Sequence, residues 1–179
     1  LIATHSGEKL KDIVEETNHR SVNLFAEHMI NLIGYEKTGN GSTSSGLRVL
    51  EQHWRGTFYT DGLHVNDGSG LSRSNAIAAK HFVELLKTME GRENGAIFKA
   101  SLPVAGKSGT MRNICKNQTG HGRIYAKSGS MTRIKSYSGY VESTSGKKLA
   151  FAIIVNNFDG SSSTLTSRMA SLMNVMAAY

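Results

Sequence analysis

Ala126-Lys127-Ser128-Gly129-Ser130 is the stretch from which the fold of this chain can be read. It lies in an extended run, Arg123 to Ser128, that is followed at once by two more, Ile134 to Glu142 and Lys148 to Asn157. The segments between them are short and polar, and Ser143-Thr144-Ser145-Gly146 has the makeup of a hairpin loop. Three such runs in succession predict an antiparallel sheet. Leu149 to Val155 is apolar without interruption, so this strand is expected to be central, with both faces covered. On the first strand, a lysine ammonium next to a hydroxyl can hold a carboxylate, and a glycine lets a substrate backbone lie close to the strand edge.

Helical periodicity accounts for most of what flanks these strands. Downstream, Leu165, Met169, Leu172, Met173 and Met176 predict a helix over Ser162 to Tyr179 that packs on the sheet. Upstream, Ser6 is read as the N-cap of a helix over 7–17, with Leu10, Ile13 and Val14 on one face and Asn18 at its end. Val22, Phe25, Ala26, Met29, Ile30 and Ile33 predict a second helix closed by Gly34, which puts Ser21 and Asn23 at a helix-loop-helix corner. Residues 37–46 read as a loop, and Leu47, Leu50 and Trp54 as a third helix. Turn signals at Asp61-Gly62 and Asn66 to Gly70 bracket a short extended Leu63-His64-Val65. Ser74 or Asn75 then starts a fourth helix, with Ala78, Phe82, Leu85, Leu86 and Met89 as its stripe, and the sequence from Gly91 to Gly122 is irregular. No repeat or linker divides the 179 residues, so one α/β unit of the α+β type is expected.

Composition narrows the classes of function. No apolar run approaches the roughly 20 residues of a membrane span. The net charge of +7 suits an anionic partner. Nucleic acid is not expected, because basic and aromatic residues do not interleave and no helix is crowded with arginine. Cys115 is alone, which excludes an intrachain disulfide and a cysteine-rich metal site. No His-Glu-x-x-His or Gly-x-Ser-x-Gly is present, so neither a metal nor a Ser-His-Asp triad is called for, and no cofactor is expected. Leu1 to His5 carries no basic or apolar leader pattern and no initiating Met, as in a mature product or a piece of something longer.

Lys-Ser-Gly or Lys-Thr-Gly occurs at Lys37, Lys107 and Lys127, and only the last falls on a strand with a hairpin behind it. A solvated turn is the ordinary reading of any one triplet. Gly106-Lys107-Ser108 imitates the end of a phosphate-binding loop, but Ser101 stands where glycine is needed and Pro103 where a buried strand is needed. Ser21-Val22-Asn23 taken alone is what helix capping favours.

Five blocks together carry a resemblance. They are Asn18 to Glu27 (Asn-His-Arg-Ser-Val-Asn-Leu-Phe-Ala-Glu), Asn66 to Asn75 (Asn-Asp-Gly-Ser-Gly-Leu-Ser-Arg-Ser-Asn), Leu102 to Gly106 with Gly109-Thr110-Met111, Ala126 to Ser130, and Ser138 to Val141 with Phe151 to Asn156. In this order, over nearly the whole chain, the sequence resembles the D-Ala-D-Ala carboxypeptidase/endopeptidase family S13, the class C low-molecular-mass penicillin-binding proteins. The wider superfamily carries Ser-x-x-Lys, Ser-Asp-Asn and Lys-Thr-Gly.

The resemblance implies a β-lactamase/transpeptidase-like antiparallel sheet flanked by helices. It implies that Ser21 relays a proton, that Asn23 donates to the substrate peptide, and that Lys127 charges the cleft. Lys127 and Ser128 would bind the terminal carboxylate of a peptidoglycan stem peptide beside Gly129, and the N–H of Ser130 would form half of an oxyanion hole. Asp67-Gly68-Ser69-Gly70 would be structural support. Ser128 departs from the usual threonine but keeps the hydroxyl, and Lys107 stands where the family favours an uncharged or acidic residue, which marks that triplet as a decoy.

Ser6-Gly7-Glu8-Lys9 matches the letters of Ser-x-x-Lys, but by the resemblance it corresponds to a segment just ahead of the middle motif. The nucleophile is therefore expected upstream of Leu1, and the chain to be the C-terminal part of a single penicillin-binding domain, incomplete at its N-terminal side. The implied setting is the periplasm or extracytoplasmic side. Self-association or an N-terminal companion fragment would cover the open sheet edge, and β-lactams would bind the intact enzyme. A non-catalytic wall-peptide-binding or self-associating module is the alternative from a different class.

Overall fold

Strands β1 (Ile124–Met131), β2 (Ile134–Glu142) and β3 (Lys148–Asn156) form one antiparallel sheet in the order β1-β2-β3. They are seen in a computed structural model that describes residues 3, 4 and 6–179. Of the leader region read from Leu1 to His5, residues 1, 2 and 5 lie outside the described residues. The register sets Lys127 opposite Ser138 and Gly129 opposite Ser136.

Among the described residues β3 is an edge strand and β2 the central one, which corrects the placement expected from sequence. The apolar run of β3 reflects its two faces rather than its edges. Phe151 enters a core with Met169, Met173, Ile124 and Val141, while Ala150 packs on the opposite face against Leu86 and Tyr140. The first cluster lies under α6 (Ser162–Ala178), which Ser161 caps by accepting from the N–H of Thr164 at 3.1 Å. The second lies under α4 (Ala79–Glu90) and α5 (Gly95–Ala100). There the Tyr140 hydroxyl donates to the Leu86 carbonyl at 2.7 Å, and burial pushes the phenol up to about 12.

Helix ends differ from expectation in instructive ways. The first helix, α1, spans Leu10–Arg20 with Lys9 at its N-cap, so Ser6 caps nothing. Asn18 does not end α1 but lies inside it and donates to Ser101 Oγ at 2.9 Å. Helix α2 (Asn23–Thr38) runs past Gly34 and closes at Gly39, which takes φ 72°. Gly34 instead lies where a Cβ would come within 2.8 Å of the Gly46 nitrogen, so the glycine lets α2 touch α3 (Thr43–Arg55). The loop read over 37–46 is only residues 39–42, because Ser42 caps α3 by accepting from the N–H of Ser45.

Helix α4 starts at Ala79, later than Ser74 or Asn75. His81 fixes that start. Its Nδ1 accepts from the N–H of Ala78 and its Nε2 donates to the Asp61 carbonyl, each at 3.1 Å. The stretch from 91 to 122 holds α5 and a 3₁₀ turn at Gly109–Met111, both too short to show as periodicity.

Candidate active site

The chain turns sharply from α1 to α2 at Ser21, which takes φ 56° and ψ 51°. This left-handed conformation is uncommon for a residue with a side chain and marks a site worth a functional question. Asn23 opens α2, exposed, and its amide makes no hydrogen bond to the described residues.

Lys127 reaches this corner from β1. Its Nζ donates to Ser21 Oγ at 2.9 Å and to the Ser128 carbonyl at 2.6 Å. No carboxylate pairs with it among the described residues, and burial pulls the ammonium below the ordinary lysine value. Ser128 Oγ donates in turn to Thr110 Oγ1 at 2.8 Å. A lysine cation and three hydroxyls, of Ser21, Ser128 and Thr110, are therefore linked by hydrogen bonds at one place.

The outer edge of β1 explains why that wall is accessible. Ala126 N–H donates to the Pro103 carbonyl and Ile124 accepts from Ala105 N–H, each at 2.9 Å, so residues 103–105 cover the first half of the strand. Beyond Ala126 nothing pairs with this edge among the described residues. Strand N–H groups alternate in direction, so those of Ser128 and Ser130 point the same way as that of Ala126, into the open edge. An extended peptide lying there would meet two free N–H donors, the ammonium and the hydroxyls. At Gly129 a Cβ would come within 2.5 Å of Ser136 Oγ, the end of a side chain that can turn aside, and would meet no backbone atom within 4 Å.

The Asp67–Gly70 loop braces α2. Glu27 accepts from the N–H groups of Gly68 and Ser69, each at 3.0 Å, and Asp67 accepts from Gly70, Ser72 and the Asn75 amide. The Ser69 hydroxyl, with those two N–H groups, holds Glu27 below its usual value against a smaller desolvation cost.

Residues 6–9 precede α1, so Ser6 and Lys9 are not aligned on one helical face. At the Lys107 triplet Ser108 Oγ accepts from Val104 N–H, and only the short 3₁₀ turn follows, without the helix a phosphate-binding loop requires. That same segment nonetheless delivers Thr110 to Ser128. No group of His, Cys, Asp and Glu residues that could hold a metal ion occurs among the described residues, and no described helix is long and apolar enough to cross a membrane. A groove of about 930 Å³ lies between α3 and residues 60–66 and is lined by none of Ser21, Lys127 or Ser128.

The family model described as D-Ala-D-Ala carboxypeptidase 3 (S13) matches residues 1–178. The chain is 36% identical over 166 residues to a D-alanyl-D-alanine carboxypeptidase of an Actinomadura species, covering 89% of this chain and 31% of that protein. It is 27% identical to carboxypeptidase DacB of Mycolicibacterium smegmatis, over 93% of this chain and 37% of that one. The chain thus spans about a third of the length of these relatives.

Penicillin binding protein 4 (dacB) of Haemophilus influenzae, solved with a β-lactam, superposes with a TM-score of 0.84 at 21% identity, covering 94% of this chain and 41% of that one. The TLA-3 extended-spectrum β-lactamase superposes at 0.71 and 14%, covering 96% and 64%. The fold is therefore β-lactamase/transpeptidase-like, as expected from sequence, with helices flanking an open antiparallel sheet.

Proposed function

Because the chain belongs to the D-Ala-D-Ala carboxypeptidase 3 (S13) family, we propose that it is the C-terminal part of a serine-type D-Ala-D-Ala carboxypeptidase/endopeptidase domain acting on peptidoglycan stem peptides. The observation that carries this reading is the 2.9 Å hydrogen bond from Lys127 to Ser21 at the mouth of an unpaired strand edge.

The substrate lies along β1. Lys127 and the Ser128 hydroxyl hold its terminal carboxylate through charge-assisted hydrogen bonds. Asn23 donates to the peptide from the opposite wall. A nucleophilic serine, supplied from upstream of Leu1, bonds to the carbonyl carbon of the penultimate residue. The developing oxyanion takes a hydrogen bond from the N–H of Ser130, a donor type whose loss costs about 2.7–4 kcal/mol. The C–N bond then breaks, and the departing amine needs a proton. Lys127 already donates to Ser21 Oγ, so the Ser21 hydroxyl keeps its own proton free to pass to that amine while it takes one from the nucleophile. Water hydrolyses the resulting ester, and the hard step is divided into two easier ones.

The setting is the periplasm or extracytoplasmic side, where such peptides are, and the net charge of +7 suits an anionic wall polymer. The open outer edges of β1 and β3 are completed by an N-terminal companion segment or by self-association. β-Lactams acylate the intact enzyme.

The test is intact mass spectrometry after incubation with labelled penicillin. We expect the full gene product to gain one adduct on a serine outside these 179 residues, and this chain alone to gain none. Acylation of Ser6, or of any other serine in this chain, would contradict the assignment.

A further inference from the structure

Beside Thr110 opens a second cavity, of about 470 Å³, where the last turns of α1 face residues 107–112. Its wall includes Glu16, His19, Arg20, Lys107 and Arg112. Thr110 joins this space to the groove, because it lines the cavity and its Oγ1 receives the hydroxyl of Ser128.

The charges on the wall do not balance. Glu16 is taken up by Arg20, whose Nε lies 2.6 Å from its Oε1. Lys107 and Arg112 are exposed, and neither has a carboxylate within ion-pair range among the described residues. Two uncompensated cations in a concave wall concentrate anions. The guanidinium of Arg112 is moreover a planar fork that fits a carboxylate through two parallel hydrogen bonds.

Direction follows from the function proposed above, on which this inference rests. If Lys127 and Ser128 hold the carboxylate of the residue that leaves, the space beyond Ser128 and Thr110 belongs to the leaving part of the substrate. We infer that this cavity binds a second carboxylate on the leaving side, with Arg112 as its principal contact. The favoured substrate is then one whose departing portion is an acidic peptide, as in a cross-link between stems, rather than a single neutral residue. A departing D-Ala satisfies Ser128 and Lys127 and leaves the cavity to water.

The experiment compares two N-acetylated peptides, identical except that one ends in D-Ala-D-Ala and the other in D-Ala-D-Glu, with the full gene product as enzyme. The ratio of kcat/KM for the acidic peptide over the neutral one is expected to exceed one and to fall as ionic strength rises. Arg112→Glu should lower that ratio by about tenfold, and Arg112→Gln, which keeps the size of the side chain, by less, as expected for a solvent-accessible charge contact. Thermal melts of both variants check that the fold is retained. A ratio that stays the same in both folded variants overturns the carboxylate site while leaving the carboxypeptidase reading intact. Failure to cleave either peptide, together with failure to react with penicillin, removes the reading and this inference together.

Discussion

Ser21 holds a left-handed backbone conformation that costs a residue with a side chain roughly 1–2 kcal/mol. The return is the position of one hydroxyl 2.9 Å from Lys127. Burial makes Lys127 give up its proton more readily than an ordinary lysine, whose value is 10.5. The unfolded chain therefore binds this proton more tightly, so the burial cost is present at neutral pH and is relieved as pH rises toward 10.5. The same deprotonation removes the charge that, in the proposed function, holds the carboxylate. We expect KM of the full gene product for a D-Ala-D-Ala peptide to rise on the alkaline side with a midpoint below 10.5, and that limb to disappear in Lys127→Ala. A midpoint at or above 10.5 would mean that Lys127 is not the group being titrated. Ser21 and Lys127 were legible in the sequence because their neighbours form recognisable letter patterns. Thr110 was not singled out, because a threonine hydroxyl in a run of turns has no periodicity to betray it, and only its hydrogen bond to Ser128 reveals it.

At the level of elements, β1 can serve as a wall only if β2 holds it in register. Gly139 faces Ala126, one residue from Lys127, and a Cβ built on it would lie 2.0 Å from the Tyr125 carbonyl oxygen and 2.7 Å from the Ala126 Cα. Backbone atoms cannot swing aside as the end of a side chain can. Gly139→Ala is expected to cost about 1–3 kcal/mol or more, the usual penalty for overpacking. Denaturant unfolding of the full gene product reads this directly, and an unchanged midpoint would show that the two strands are not so closely paired. The three strands and the C-terminal helix were readable from alternation and helical spacing. Helix starts and stops were not, because capping residues resemble loop residues. Ser6 looked like a cap but lies ahead of the first turn, and Gly34 looked like a stop but is a contact with α3. Burial of both faces of β3 was legible in its apolar run, but its place in the strand order was not. Side-chain pattern reports what lies above and below a strand and is silent about its edges.

Across the whole molecule, two polar clusters 106 residues apart in sequence meet at one rim of the sheet. The family match over residues 1–178 gives the family, and the superposition on penicillin binding protein 4 gives the fold. The chain spans about a third of its curated relatives, so the groove seen here is one side of the proposed reaction site. If Lys127 and Ser21 form the working side of that groove, they govern how fast the nucleophile is acylated even though neither is acylated itself. The decisive quantity is the second-order rate of penicillin acylation of the full gene product, compared with Lys127→Ala and Ser21→Ala. We expect each variant to react at least about 100-fold more slowly, the loss of a group whose contribution is made in the transition state. Acylation of both folded variants at the rate of the natural protein would contradict the proposal that this pair of residues is the reaction site.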